Sequence, residues 1–248
     1  TRDPELINTY NKGVEFSQQG MHAEAAAEFR KTIEMNSHYA PAHLELGRSL
    51  LKLKKFEAAL KEFEEVLLIE PSSAEAHYGL GVAYPIARAD EAAGIEHYKH
   101  YLELNPRAKD AQQVQGWIAK LQAAIDAKKE EVQWYNEGVA LAENGQHKEA
   151  VAAFRKAVAM NSDYYEALQA MGLSLIQLQE YEEARQSFEE ALELNPDYAE
   201  AHYGLGVVLP LLGDKTNAST HFWKYLELKP NAPDLKVVIE WIDKLEEA

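Results

Sequence analysis

The feature that most constrains this chain is that it repeats itself. Residues Ala74–Val82 read AEAHYGLGV, and Ala199–Val207 read the same nine residues at an offset of 125. That offset also relates Tyr10-Asn11 to Tyr135-Asn136, Gly13 to Gly138, Met35-Asn36-Ser37 to Met160-Asn161-Ser162, Pro71 to Pro196 and Pro85 to Pro210. Beyond the last pair it slips to 124, matching Trp117 with Trp241 and Leu121 with Leu245. The chain is two copies of one long unit, which points to stacked repeats and not to a single closed core.

Each copy contains a shorter period. Glycines stand at 13, 47 and 81, and again at 138, 172 and 206, with a spacing of 34 inside each copy. A small residue (Ala25, Ala59, Gly94; Ala150, Ala184, Ala218) is followed four positions later by an aromatic (Phe29, Phe63, Tyr98; Phe154, Phe188, Phe222), and Pro71, Pro106, Pro196 and Pro230 close four of the six repeats. Apolar positions such as Phe56, Ala59, Leu60, Phe63, Val66 and Leu67 recur at three and four, the helical period, so no strands are expected. A helical glycine costs about 1 kcal/mol, and close approach of two helices is the reason that would justify Gly13 and its equivalents. Ser72, Asp163 and Asp197, each three before a glutamate (Glu75, Glu166, Glu200), read as capping boxes.

This pattern resembles the tetratricopeptide repeat, in which a small residue of helix A packs on helix B, helix B carries an alanine-then-aromatic pair, and a proline ends the repeat. The resemblance covers almost the whole chain. It implies an all-α solenoid, a right-handed superhelix of helical hairpins. Module 1 is expected over 6–127 (repeats 6–39, 40–73 and 74–107, capping helix 109–127) and module 2 over 131–248 (repeats 131–164, 165–198 and 199–232, capping helix 234–247). The caps are read from two stripes, Val114, Trp117, Ile118, Leu121 and Ile125, and Val238, Trp241, Ile242 and Leu245, each able to cover the open face of a last hairpin. No Gly or Pro separates Trp117 from Asn136, so the first cap is expected to run on into module 2, although its stripe breaks at Lys128-Lys129.

What the resemblance implies for function is a concave surface, lined by the first helices, that holds a peptide or helix of another protein. The family's groove positions correspond in module 1 to Tyr10, Val14, Leu44, Glu45, Arg48, Glu75, Tyr78, Gly79, Val82 and Ile86. In module 2 they correspond to Tyr135, Asn136, Val139, Gln169, Leu173, Glu200, Tyr203, Gly204, Val207 and Leu211. Tyrosines four before a valine put amphipathic rings beside apolar steps, and Gly79 and Gly204 would leave floor space beside them, giving two peptide-sized grooves. Two readings stand for these residues: partner contact, or packing between adjacent repeats. Pro85 and Pro210, late in a first helix, either widen the groove's mouth or mark the helix end.

Co-chaperone members of the family grip acidic chaperone tails with a Lys, Asn and Arg clamp. The corresponding positions here hold Tyr10, Val14, Glu45, Glu75 and Gly79, then Tyr135, Val139, Ala170, Glu200 and Gly204, so no clamp is present. With 25 basic and 41 acidic residues the net charge is −16, which disfavours nucleic acid, anionic membranes and acidic tails and favours a neutral or basic partner. No apolar run approaches the roughly 18 residues of a membrane span, and Thr1–Glu5 has neither the basic nor the apolar part of a signal peptide. A soluble chain, cytoplasmic or periplasmic, is expected. With no cysteine there is no disulfide or thiolate site. Gly79-Leu80-Gly81 lacks a third glycine and a preceding strand. His97 and His100 read as solvated surface residues rather than a metal pair, and His77 and His202 as packing between helices. No catalytic residue, metal or cofactor is expected. The reading is a non-enzymatic adaptor or scaffold; the alternative is a structural component that assembles into homo-oligomers.

Overall fold

The computed structural model describes residues 3–247; Thr1 and Arg2, which open the leading segment, and Ala248, which ends module 2, lie outside the described residues. Among those described there are thirteen helices and no strand. The chain divides at Asp126/Ala127 into two compact units. Unit 1 holds three hairpins, α1 (Pro4–Gln18) with α2 (His22–Met35), α3 (Ala40–Lys52) with α4 (Phe56–Ile69), and α5 (Ala74–Arg88) with α6 (Glu91–Leu104). The first part of α7 (Ala111–Glu143) closes it, and the last part opens unit 2, pairing with α8 (His147–Met160). Then come α9 (Tyr165–Gln177) with α10 (Tyr181–Leu194), α11 (Ala199–Leu211) with α12 (Lys215–Leu228), and α13 (Leu235–Glu246). α7 stays helical through Lys128-Lys129, because no residue there forbids helical backbone.

The glycine and the aromatic of each repeat are one device. A Cβ built on Gly13, Gly47, Gly81, Gly138, Gly172 or Gly206 would lie 2.5–2.7 Å from the ring of Phe29, Phe63, Tyr98, Phe154, Phe188 or Phe222 respectively, so each first helix is bare where the second helix drives its ring home. All six rings are buried, and burying such a ring is worth roughly 1.5–3 kcal/mol. At the end of each unit Val114, Val238 and Ile242 are fully buried, and Trp117 and Trp241 pack on Tyr98 and Phe222 at ring-centroid distances of 5.6 and 5.7 Å.

Two expectations are corrected here. The capping boxes are absent: α9 and α11 begin one residue later than they require, which puts Tyr164 and Tyr198 at the N-cap with no side-chain cap, and α5 is capped by Ser73, not Ser72. The cap positions are tyrosines because the ring is needed for packing; Tyr164 lies 5.1 Å from Tyr135 and Tyr198 4.8 Å from Tyr165. The helix-end reading fits Pro210, next to last in α11, but not Pro85, beyond which α5 runs three residues to Arg88.

That extension locates the slip in offset. The turns between first and second helices each contain one left-handed residue, at 20, 54 and 89 in unit 1 and at 145, 179 and 213 in unit 2. Spacing is 34 everywhere except between Lys54 and Ala89, where it is 35. Five of these turns close with an amide bonded five residues back, as Lys55 to Leu50 and Asp214 to Leu209; Asp90 reaches back six, to Tyr84. The extra residue sits beside Pro85, whose missing N–H already breaks the ladder there. Gly94 makes room, since a Cβ on it would lie 2.5 Å from the Pro85 ring. The longer helix carries Arg88 over the Tyr84 ring (5.3 Å) and to Glu57 of α4 (3.1 Å).

Candidate functional site

The first helices of unit 1, with α7 as a fourth, enclose a groove of about 890 Å³. Of the positions singled out from sequence, Arg48, Tyr78, Gly79, Val82 and Ile86 line it, together with Glu45 and Glu75. Tyr10, Val14 and Leu44 do not. Tyr10 packs against Phe29 (5.7 Å) and edge-on to Tyr39 (5.5 Å), and Val14 and Leu44 pack on the core of α1–α5. Trp117 and Leu121, read from sequence only as cap residues, also line the groove, as do Lys52, Lys120 and Pro85. Their signal was available: a cap that follows a second helix takes the place of the next first helix, so its exposed residues extend the same wall.

Unit 2 has a groove of about 510 Å³, lined by Val139, Leu173, Tyr203 and Val207 among the expected residues, with Trp241, Ile176 and His147 added. Tyr135, Asn136, Gln169, Gly204 and Leu211 stand outside it. Tyr135 packs on Phe154 (5.9 Å), Asn136 is exposed, Gln169 is half-buried, and Leu211 is 50% exposed.

Gly79 and Gly204 do not open floor space. Both are buried, and a Cβ on Gly79 would meet the Phe63 ring of the preceding repeat at 2.5 Å, with Phe188 standing likewise over Gly204. Phe63 is thereby wedged between Gly47 of its own repeat and Gly79 of the next. The tyrosines above them serve two roles. Tyr78 packs on Tyr101 (5.2 Å) and Trp117 (6.0 Å), Tyr203 on Tyr225 (5.2 Å) and Trp241 (6.2 Å), yet each keeps a half-exposed face on its groove. Burial raises the pKa of both phenols, helped by Asp110 and Asp234. Those carboxylates each accept a hydrogen bond from a tyrosine, Tyr101 at 2.6 Å and Tyr225 at 2.9 Å. Burial and the adjacent carboxylate push both of these phenols up to about 12. They are neutral donors at any physiological pH.

Charge at the unit 1 groove is mixed and not acidic: Arg48, Lys52 and Lys120 stand with Glu45, Glu75 and Asp110, and Arg48 is paired with Glu45 at 2.6 Å. The histidine expectations divide. His77 and His202 do bridge helices, their Nδ1 atoms 3.0 Å from His97 and 2.9 Å from His221. His97 is half-buried rather than solvated, stacked on Tyr84 at 5.3 Å, whereas His100 is exposed. Among the described residues no three His, Cys, Asp or Glu side chains are grouped to hold a metal, and no helix is long and apolar enough to cross a membrane.

Among solved structures the chain is similar to the P58(IPK) TPR domain (16% identity over 98% of this chain and 66% of that one, TM-score 0.48). It is also similar to the TPR2AB domain of yeast Sti1, solved as a pHSP90 complex (14% identity, 98% of each chain, TM-score 0.45). A third is YrrB, described as a TPR protein with an unusual peptide-binding site (21% identity, 89% of this chain and 98% of that one, TM-score 0.40). No curated protein matches the chain. The tetratricopeptide repeat model matches residues 17–84 and 141–187, and a TPR repeat model matches 172–213. These matches fall on hairpins that each set a glycine of one helix against an aromatic ring of the next, and the chain belongs to the tetratricopeptide-repeat family.

Proposed function

We propose that this chain is a non-enzymatic interaction module that holds a segment of another protein in its grooves, the unit 1 groove foremost. The observation that carries the reading is an open apolar wall in unit 1. Ile86 is 56% exposed there, beside Val82, Tyr78 and Trp117, and apolar surface left on a concave face with few convergent polar groups is what a ligand covers. The missing clamp and the mixed lining charge argue against a purely acidic tail, whose carboxylates would meet Glu45 and Glu75.

The test is to pan a random peptide library on the full chain and titrate the selected peptides against Ile86→Asp. The side chain of Ile86 is exposed, so the variant folds normally. The reading requires that selected peptides compete with one another and lose binding to the variant; peptides that bind both forms equally contradict it. A second reading, self-assembly, is favoured by Trp223 and Val237, 51% and 45% exposed on the packed helices α12 and α13. Light scattering over a concentration series, with Trp223→Lys as control, decides it: a strict monomer excludes assembly.

A further inference from the structure

Each groove is lined by one histidine that leaves a buried nitrogen without a partner. His22 opens α2 and lines the unit 1 groove; His147, 125 residues on, opens α8 and lines that of unit 2. Both side chains are half-buried, and in both Nδ1 is buried with no hydrogen-bond partner. Among the described residues no other side-chain nitrogen or oxygen is left in that state. Nε2 of each ring is neither buried nor bonded there, so it is the nitrogen left accessible.

A buried unpaired nitrogen costs stability, and packing does not require one at this place. The second repeat of each unit holds Phe56 or Tyr181 as the first residue of α4 or α10, a half-buried ring that puts no nitrogen in the interior. A phenyl ring at position 22 would fill the same place without that cost. The reason for a histidine therefore lies in Nε2. In the neutral imidazole one nitrogen carries the hydrogen, and an orphaned N–H in the interior is rarer than an unshared acceptor. The hydrogen is thereby assigned to Nε2, and the ring offers the groove a donor.

His22 stands at the end of the groove where the hairpins turn. Ser17, Lys52 and Ile86, from the last turns of α1, α3 and α5, line the same space, as do Leu51 and Phe56. An occupant whose side chains cover the apolar wall brings backbone carbonyls that need a donor once water is displaced. Resting on the reading of this groove as the binding site, we infer that His22 is a specificity-determining residue of it, whose Nε2–H donates to a backbone carbonyl of the bound segment. A helix interior spends its carbonyls on its own amides, so the segment is not helical where it passes His22.

The probe is a peptide panned from a random library on the full chain and chosen because Ile86→Asp abolishes its binding, which ties it to unit 1. Its affinity is measured by fluorescence anisotropy against His22→Phe, which keeps a ring and removes the donor, and His22→Gln, which keeps an N–H at the reach of Nε2. His22→Phe should bind about three- to tenfold more weakly, the worth of one neutral hydrogen bond, with no fall in denaturant midpoint, and His22→Gln should recover most of that affinity. Unchanged affinity in His22→Phe overturns the inference and leaves the groove reading standing; an equal loss in both variants overturns the donor. A long-range proton–nitrogen NMR spectrum of the chain with isotope-labelled histidine should show the His22 hydrogen on Nε2, exchanging more slowly with water once the peptide is added, and the opposite tautomer contradicts the assignment. An alanine scan of the peptide identifies the acceptor. If the His22→Phe penalty persists in every scanned peptide, the acceptor is backbone; if one substitution removes it, a side chain is the acceptor and the carbonyl assignment falls. If no selected peptide depends on Ile86, the groove reading fails and takes the role of His22 with it.

Discussion

The Nδ1 atoms of His202 and His221 face each other at 2.9 Å, and only one of them carries a proton. His202 Nε2 lies 3.0 Å from the Pro196 carbonyl, to which it donates. Its Nδ1 is therefore the acceptor in the neutral ring, and His221 donates. His77 and His97 repeat the contact at 3.0 Å in unit 1. Each bond joins the two helices of the last hairpin before a cap, and charging both rings of a pair would lose it.

That relationship predicts a pH dependence. Burial, then the neighbouring His77 and His100, push the His97 pKa down from 6.5 to about 4, against a smaller opposing pull from Glu64 and Glu96; Tyr84 stacks on its face. A base whose folded pKa is depressed binds protons more readily when unfolded, so its contribution is complete above pH 6.5 and is lost as pH falls towards 4. Burial lowers His77 and His221 in the same direction. Thermal unfolding of the chain should therefore lose stability between pH 6.5 and 5, before most carboxylates titrate. His97→Gln should flatten that slope, removing on the order of 2 kcal/mol of pH-dependent stability after allowance for the ring's partial exposure. An unchanged slope in the variant counts against the pair.

Gly79 and Gly204 decide between floor space and packing. Alanine has the better helix propensity by about 1 kcal/mol, so a glycine that merely lined a groove would be improved by the change. With Phe63 and Phe188 pressed onto them, Gly79→Ala and Gly204→Ala should instead lower stability by roughly 1–3 kcal/mol through overpacking. Denaturant titration followed by circular dichroism reads the sign.

Ala89 is the reverse case. Its φ of 49° is left-handed, and the matching residue of unit 2 is Gly213 at 88°. A left-handed alanine costs about 1–2 kcal/mol, less what glycine loses in chain entropy. Ala89→Gly should raise stability by roughly 0.5–1 kcal/mol, visible as a higher denaturant midpoint at unchanged slope. A lower midpoint would show that the lengthened end of α5 is not set by its turn.

The hairpins were legible in sequence because one physical constraint, a ring needing a bare helix opposite, imposes two residue types at fixed spacing, and it recurs in Gly13/Phe29 through Gly206/Phe222. The caps were legible from the stripes at Val114 and Val238. What was hidden depended on which of two neighbours a residue serves. Tyr164 and Tyr198 occupy cap positions but are spent on ring packing, so Asp163 and Asp197 gave a false capping signal. Gly79 has the groove position's number but faces Phe63. Trp117 serves as both cap and wall, and periodicity identifies only the first. At Pro85 the slip in offset shows an inserted residue, but not that α5 continues through the proline, because the insertion is absorbed by Gly94 and Arg88 across two helices.

The central claim, that a partner segment lies on the apolar wall of unit 1, is tested most directly by site-specific photo-cross-linking. A photoreactive amino acid replaces Ile86 in one sample and Leu68 in another; Leu68, on α4, is 76% exposed and outside the groove. Each is irradiated with a peptide selected on the intact chain. The account predicts cross-linking from position 86 and none from position 68; capture at 68 with none at 86 would contradict it.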